Sequence, residues 1–428
     1  STGQSRCLDA FIVALDQVCE GGQKRWYAST LELQLASLEF CKACRSIPTL
    51  AVSVDDRTVR SLWIAPKSNT RPNEDISKKV RISSRVPAVR ALRLTWALPM
   101  DVLVQSAAVE LWKWLEFVQL RGVVSACSLE SVTWPTGLEE LVLDANLDVS
   151  VEAVLWPSSL ERLVFGAHFN KPVIGALWPA FLRQLSFGDG FNQPIAEVVW
   201  PSSLKQLFFG VRFNQPIAGV VWPASLQQLL FGEAFNQSIA EAVWPASLQQ
   251  LSFGRLFNQP IDGTVWPALL QKLSLGTDFN QPIDGVVWPV SLQQLSFGAN
   301  FNQPIAGVVW PASLQQLLFG EAFNKPIAGV VWPASLQQLS FGSHFNQPIA
   351  GTVWPALLQK LSLGTYFDQP IAGVVWPASL QQLSLGFAFN QPIAGVVWPV
   401  SLQKLSFGFR FNKPIAGVVW PASLQQLS

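Results

Sequence analysis

Residues 301–322 read Phe301-Asn302-Gln303-Pro304-Ile305-Ala306-Gly307-Val308-Val309-Trp310-Pro311-Ala312-Ser313-Leu314-Gln315-Gln316-Leu317-Leu318-Phe319-Gly320-Glu321-Ala322, and the same 22-residue string returns with small changes on both sides. Trp310 marks the period. Trp156, Trp178, Trp200, Trp222, Trp244, Trp266, Trp288, Trp332, Trp354, Trp376, Trp398 and Trp420 stand in step with it at intervals of 22, Trp134 adds one step before them, and Pro follows each. A fixed period of this length means that one short supersecondary unit was copied and that the copies stack as coils. The expected fold class is a repeat solenoid: mainly β, leucine-rich-repeat-like, with a parallel sheet, 22-residue coils and non-helical backs. A small, partly helical N-terminal region precedes it.

Each position in the coil has a reason. Leu314, Leu317 and Phe319 form L-x-x-L-x-F, and the last two, two residues apart, share one face of a short strand. Pro304 and Pro311 forbid a regular helix on the back of the coil and push the residues before them toward extended backbone. Gly320 recurs in every copy from Gly166 to Gly408, whereas Gly307 gives way to Glu197 and Glu241. Gly320 is therefore expected to need positive φ or close backbone approach, and Gly307 neither. Asn302 is replaced in one copy only, by Asp368. Asn and Asp share an acceptor oxygen, so this column should accept backbone N–H groups at a turn and form a ladder along the stack. The Trp column is expected inside. Fourteen exposed indoles would make an apolar patch far beyond the few hundred Å² a soluble monomer tolerates.

Variation is confined. The two residues between the recurrent Gly and the next Phe hardly ever agree, while their neighbours are almost constant. Residues 213–300 and 301–388 form a duplicated four-coil block with 14 differences, five of which fall in this pair. The pair covers 8 of 88 positions, so even drift would place 14 × 8/88, or about 1.3, differences there. Gln315, Gln316 and Ser296 should also be partly exposed, yet their columns stay nearly constant. Turn residues that vary on a rigid scaffold, at the C-terminal ends of strands, are the usual carriers of specificity. The candidate partner-binding residues are His168, Asp189, Arg212, Glu233, Arg255, Asp278, Asn300, Glu321, His344, Tyr366, Phe387, Phe409 and Arg410.

The chain divides into a non-repeating cap region over 1–86, degenerate repeats over 87–137 and regular coils over 138–428. Leu8, Phe11, Ile12, Leu15 and Val18 fall on one helical face, and Thr30 to Arg45 reads as a second helix. Val89, Leu92 and Leu94, then Trp112, Leu115 and Phe117, then Leu138, Leu141 and Leu143 carry the strand pattern into the degenerate part. Charged residues make up only 13% of the chain and the net charge is +1, so no basic stripe exists to neutralise phosphates and a nucleic-acid partner is not expected. No apolar run approaches the ~20 residues of a membrane span. Leu8 to Val18 carries Asp9 and Asp16 and is a poor leader core. The string starts without Met and stops inside a repeat, which reads as a fragment whose open last edge invites self-association. Cys7, Cys19, Cys41, Cys44 and Cys127 are odd in number and absent from the array. That is no disulfide scaffold, and it fits a reducing, cytoplasmic setting better than an oxidising one.

The unit L-x-x-L-x-F-G-x-x-F-N-Q-P-I resembles the FNIP repeat, of the leucine-rich-repeat group, with Phe301, Asn302, Pro304 and Ile305 on the letters of that name. Val309-Trp310-Pro311 departs from it, since that family usually carries Leu-Pro there. The resemblance implies a parallel-strand solenoid and a protein-interaction role. A weaker likeness is to bacterial surface repeats with an F-N-Q-x-I core and a following Trp. Some FNIP-repeat proteins carry an F-box, and Leu35 to Ile47 is faintly similar to its last helix, without the Leu-Pro front half.

Catalytic constellations are missing from the string. The two histidines, His168 and His344, stand eight coils apart, and no phosphate-binding loop, dinucleotide fingerprint or nucleophile elbow occurs. Cys41-x-x-Cys44 is a lone pair on an expected helix and is read as part-buried thiols, not a metal site. The sequon Asn236-Gln237-Ser238 arises where a Pro became Ser. The expectation is a non-enzymatic scaffold for a protein partner, without cofactor or metal. A ubiquitin-ligase substrate adaptor and an extracellular adhesion or carbohydrate-binding array are the alternatives.

Overall fold

The computed structural model describes residues 51–54, 91–95 and 117–122, and from residue 129 onward all but 133, 135, 146, 147 and 149. The expected N-terminal helices, the F-box-like stretch and Cys41/Cys44 lie outside the described residues. The chain forms two compact units, Ser1–Lys171 with Ala176–Leu182, and Pro172–Gly175 with Arg183–Ser428.

In the first unit β1 (Ala51–Val54), β2 (Ala91–Thr95), β3 (Phe117–Gly122), β4 (Glu140–Ala145) and β5 (Arg162–Phe165) pair in order, all parallel. β1 was not anticipated. Leu92 and Leu94 lie in β2 as expected, but their partners in β3 are Val118 and Leu120, three residues beyond the expected Leu115 and Phe117. The degenerate sequence offers two apolar pairs spaced by two, and the hydrogen-bonded register selects the later one. A single 3₁₀ turn, Leu129–Ser131, is the one helical element among the described residues.

The second unit is a β-solenoid of parallel strands. Its strands run from β6 (Gln184–Ser186) to β16 (Lys404–Ser406), each three residues long, with β17 (Gln426–Leu427) last, and they pair in unbroken register. Leu317 sits opposite Leu295 and Leu339, so one leucine column runs down the sheet. Its burial alternation, half-buried, buried, half-buried, is that of a strand with one face on the core. The remainder of each coil is three hydrogen-bonded turns. They are Ile305–Val308, Pro311–Leu314 and Gly320–Phe323, closed by N–H···O bonds of 3.3, 3.0 and 3.2 Å. The prolines had excluded a helical back, and turns take its place.

The core is columnar. Leu314, Leu317, Phe323 and Ile305 are fully buried. Phe319 stacks on Phe323 at 4.3 Å within its coil and on Phe341 at 5.6 Å in the next, while Phe323 stacks on Phe345 at 6.1 Å. Trp310 stacks on Trp332 at 6.4 Å and 12°, and meets Phe319 edge-on at 82°. The indoles lie inside as expected. Trp134 and the Trp of every coil from Trp200 through Trp398 are buried, whereas Trp156, Trp178 and Trp420 are half-buried. Trp310 Nε1, like that of Trp222, Trp244 and Trp332, has no hydrogen-bond acceptor. Each such donor costs roughly 1–3 kcal/mol, and indole burial more than offsets it.

Two polar devices tie the coils. Asn280 Oδ1 accepts the Asn302 N–H at 2.9 Å and Gln303 Nε2 at 3.1 Å, and Asn302 Oδ1 accepts the Asn324 N–H at 3.0 Å. Asp368 does the same for Asn390, at 2.8 Å, which is why an acid is accepted in that column. A second ladder uses Ser313, whose Oγ donates to the Leu292 carbonyl at 2.8 Å.

The two glycine columns divide the tasks differently from the expectation. A Cβ on Gly320 would stand 1.7 Å from the Gly298 carbonyl oxygen, so close backbone approach holds that column. Gly307, expected to need nothing special, has φ +82° at the third position of its turn, where left-handed backbone favours glycine. It nevertheless has open space around it. Glu at 197 and 241 therefore meets no steric wall, which is how the sequence came to mislead.

Candidate partner-binding surface

The candidate residues occupy one structural slot. Each variable pair forms the two central residues of the Gly320–Phe323 type of turn, immediately after the strand and its glycine. The backbone of the slot is fixed. From Arg212 onward the second residue of each pair donates its N–H to the carbonyl of the first residue in the preceding coil: Ala322 to Ala299 at 2.7 Å, His344 to Glu321 at 2.8 Å, Tyr366 to Ser343 at 2.8 Å. Phe323 and Gly320 anchor either end of the turn in the core. Only the side chains are left free to differ, and they point outward. Asp278 is half-buried, and the other twelve candidates are exposed.

His168 belongs to the first unit, and the others to the second. Within the second unit the stack brings like positions together, one coil apart. Arg255 Nε lies 3.7 Å from Glu233 Oε2, and Asn300 Nδ2 donates to Asp278 Oδ1 at 2.8 Å. His344 stacks on Tyr366 at 5.5 Å, and Phe387 on Phe409 at 5.4 Å and 6°. The Arg410 guanidinium sits 5.8 Å above the Phe387 ring, in cation–π range. The slots from Asp189 to Glu321 are thus mainly charged or polar, and those from His344 to Arg410 mainly aromatic. Asp189, Arg212 and Glu321 project singly from their turns.

The first residues of the pairs also border the open face of the sheet. Glu321, Ser343 and Thr365 line a shallow groove of about 560 Å³ whose other wall is Ser340, Ser362 and Ser384. A second groove, of about 330 Å³, continues onto Gln338, Lys360, Gln382 and Lys404. Lys272, Lys360 and Lys404 are the exposed cations of this face, and sequence reasoning passed over them. The signal was present, because they break an otherwise constant Gln column.

The sequence model of the family described as FNIP Repeat matches residues 169–211, 213–256, 257–300, 279–322, 301–344, 323–355, 345–388 and 389–428. The chain belongs to the FNIP-repeat family. Among solved structures it is similar to CroV588, described as a novel circular leucine-rich-repeat protein, at 35% identity and a TM-score of 0.58, over 79% of this chain and 56% of that one. The chain thus spans little more than half the length of that relative. An internalin (inlF) from Listeria monocytogenes matches at 14% identity and a TM-score of 0.46, over 70% of this chain and 87% of that one. No curated protein sequence matches. The FNIP-repeat fold is thus an LRR-like solenoid of the kind typical of interaction scaffolds. Among the described residues there is no cluster of three metal-ligating side chains, and no helix long and apolar enough to cross a membrane.

Proposed function

We propose that this FNIP-repeat chain is a non-enzymatic scaffold that binds a protein partner through its variable turn pairs. The supporting observation is the separation of backbone from side chain in that slot. The main chain is hydrogen-bonded from coil to coil while the side chains are exposed and vary. Such a row presents a fixed geometry with interchangeable chemistry, as interaction solenoids do.

Within the row the aromatic end carries the binding energy. Tyr and Arg are the residue types enriched where interfaces concentrate affinity. Tyr366 is 53% exposed, Phe387 45% and Phe409 84%, and stacking already orders Phe387, so little side-chain entropy is lost on contact. The charged slots toward Asp189 serve specificity and encounter rate. The grooves along Ser340–Ser384 accept the edge of the partner beside the turns.

Affinity purification from cells with the 428-residue chain, followed by mass spectrometry, identifies the partner. Tyr366→Ala with Phe387→Ala should abolish its recovery, while the melting temperature stays within about 2 °C, since both rings are half in solvent. Unchanged partner recovery with this double variant refutes the reading. Loss of binding to a glycan panel in place of a protein transfers the slot to carbohydrate recognition.

A further inference from the structure

The back of the solenoid carries an apolar stripe that the variable turns do not explain. Val199, Val221, Val243, Val265, Val287, Val309, Val331, Val353, Val375, Val397 and Val419 are each between 76% and 82% exposed. Every coil of the second unit places Val at this position, between the buried Val308 and Trp310 types. Three residues on, Val290 and Val400 are about 80% exposed as well, and four residues on, Leu269 and Leu357 are about half exposed. The excess apolar surface that argued against exposed indoles is therefore present after all, in valine.

We propose that this stripe is a homotypic interface, and that its occupant is a second copy of this chain packed back to back. The area is adequate. Burying a side chain of this size removes roughly 60–100 Å² at ~25 cal/mol per Å². Eleven valines supply roughly 700–1,100 Å² per copy, against the ~800 Å² per partner of a standard stable interface. Soluble monomers rarely expose a contiguous apolar patch of that extent.

Chemistry and period select the occupant. The run from the Pro304 type to the Ser313 type contains no Lys or Arg in any coil of the second unit, and its only aromatic residue is the Trp of the core column. A lipid surface is held by basic and interfacial aromatic residues, which this run does not present. A second copy offers the same valine spacing, coil for coil, so two stripes interdigitate along their length. Constancy also fits self-recognition: the turns vary, but this column does not. The acids of the run, Glu197, Glu241, Asp262 and Asp284, all precede residue 301. Like-charge repulsion then disfavours a parallel, in-register pair and favours an antiparallel one.

The test is sedimentation velocity of the full chain from about 0.1 to 50 µM, with Val309→Lys/Val353→Lys/Val397→Lys beside it. The wild type should dimerise, and the triple variant should weaken the dimer roughly 100-fold or more. A Val→Thr triple at the same sites controls for folding, because it keeps the shape and removes only apolar contact. It should weaken the dimer by a smaller factor, with unchanged indole emission. Leu427→Lys, at the end strand, should leave the dimer intact. The proposal is overturned by a wild type that stays monomeric, by a dimer that Leu427→Lys abolishes and the valine variants do not, or by a monomer that floats with phosphatidylcholine vesicles.

Discussion

Replacing Gly320 by Ala should damage this protein far more than replacing Gly307, although both substitutions add one methyl group. At Gly320 the new Cβ would stand 1.7 Å from the Gly298 oxygen, 2.4 Å from its carbonyl carbon and 2.6 Å from Ala299 Cα. All three are backbone atoms and cannot swing away. Restoring the ~3.3 Å that carbon and carbonyl oxygen need opens the two coils by about 1.6 Å. Two hydrogen bonds span that gap, Phe297 N–H to Leu318 O at 2.9 Å and Ala322 N–H to Ala299 O at 2.7 Å. Stretched by that amount both are lost. At roughly 1–3 kcal/mol for each stranded group pair, the expected cost is about 4 kcal/mol. At Gly307 the Cβ meets nothing, and only the left-handed φ of +82° opposes it, for about 1–2 kcal/mol. The assay is urea unfolding followed by indole fluorescence, with hydrogen exchange of peptides covering 294–322 to locate the damage. Since coil arrays unfold by neighbour interfaces, the Gly320→Ala opening should be local. Equal costs for the two variants, or unchanged exchange at 294–322, would refute the reasoning.

The polar ladder gives a second contrast. Asn280→Asp should be nearly neutral, because Asp368 already performs that role, whereas Asn280→Leu strands the Asn302 N–H and should cost about 2–3 kcal/mol in the same urea assay. Thr352→Val should raise stability by about 1 kcal/mol, since the hydroxyl is buried without a partner where most other coils carry Val, and a lowered unfolding midpoint would count against this. Trp310→Ala should cost about 3–5 kcal/mol and Trp310→Phe distinctly less, because Phe removes an unpaired donor along with part of the ring. Indole emission of the wild type should be blue-shifted and mostly resistant to iodide, and water-like emission would dismantle the columnar core.

The period made the fold legible, because stacked copies turn each sequence column into a spatial column. Asn302 could be assigned from its substitution by Asp368, and Trp310 from the apolar patch that fourteen exposed indoles would make. Gly307 was misjudged for the same kind of reason. Substitution reports whether a side chain fits, and at Gly307 it fits in open space while the backbone is still left-handed. Phe117 was misplaced because two registers satisfy an alternation of apolar residues, and only the hydrogen-bonded pairing with Leu92 and Leu94 separates them. The variable pair was visible as variation, but its fixed main chain was not, because bonds such as Ala322 to Ala299 join backbone atoms that any residue possesses. Val309 was overlooked for a similar reason: an exposed and a buried valine are the same letter, and Val308 beside it is buried.

Because every coil bonds to its neighbour through the same atoms, the number of coils is a free parameter of the architecture. Excising residues 301–388 would set Phe389 after Asn300, where Phe301 stood, and the remaining backbone and core contacts would find their counterparts. Length can therefore grow or shrink in steps of 22 by unequal exchange between near-identical gene segments. Each step adds or deletes one pair of variable turn residues on a ruler whose markings never shift.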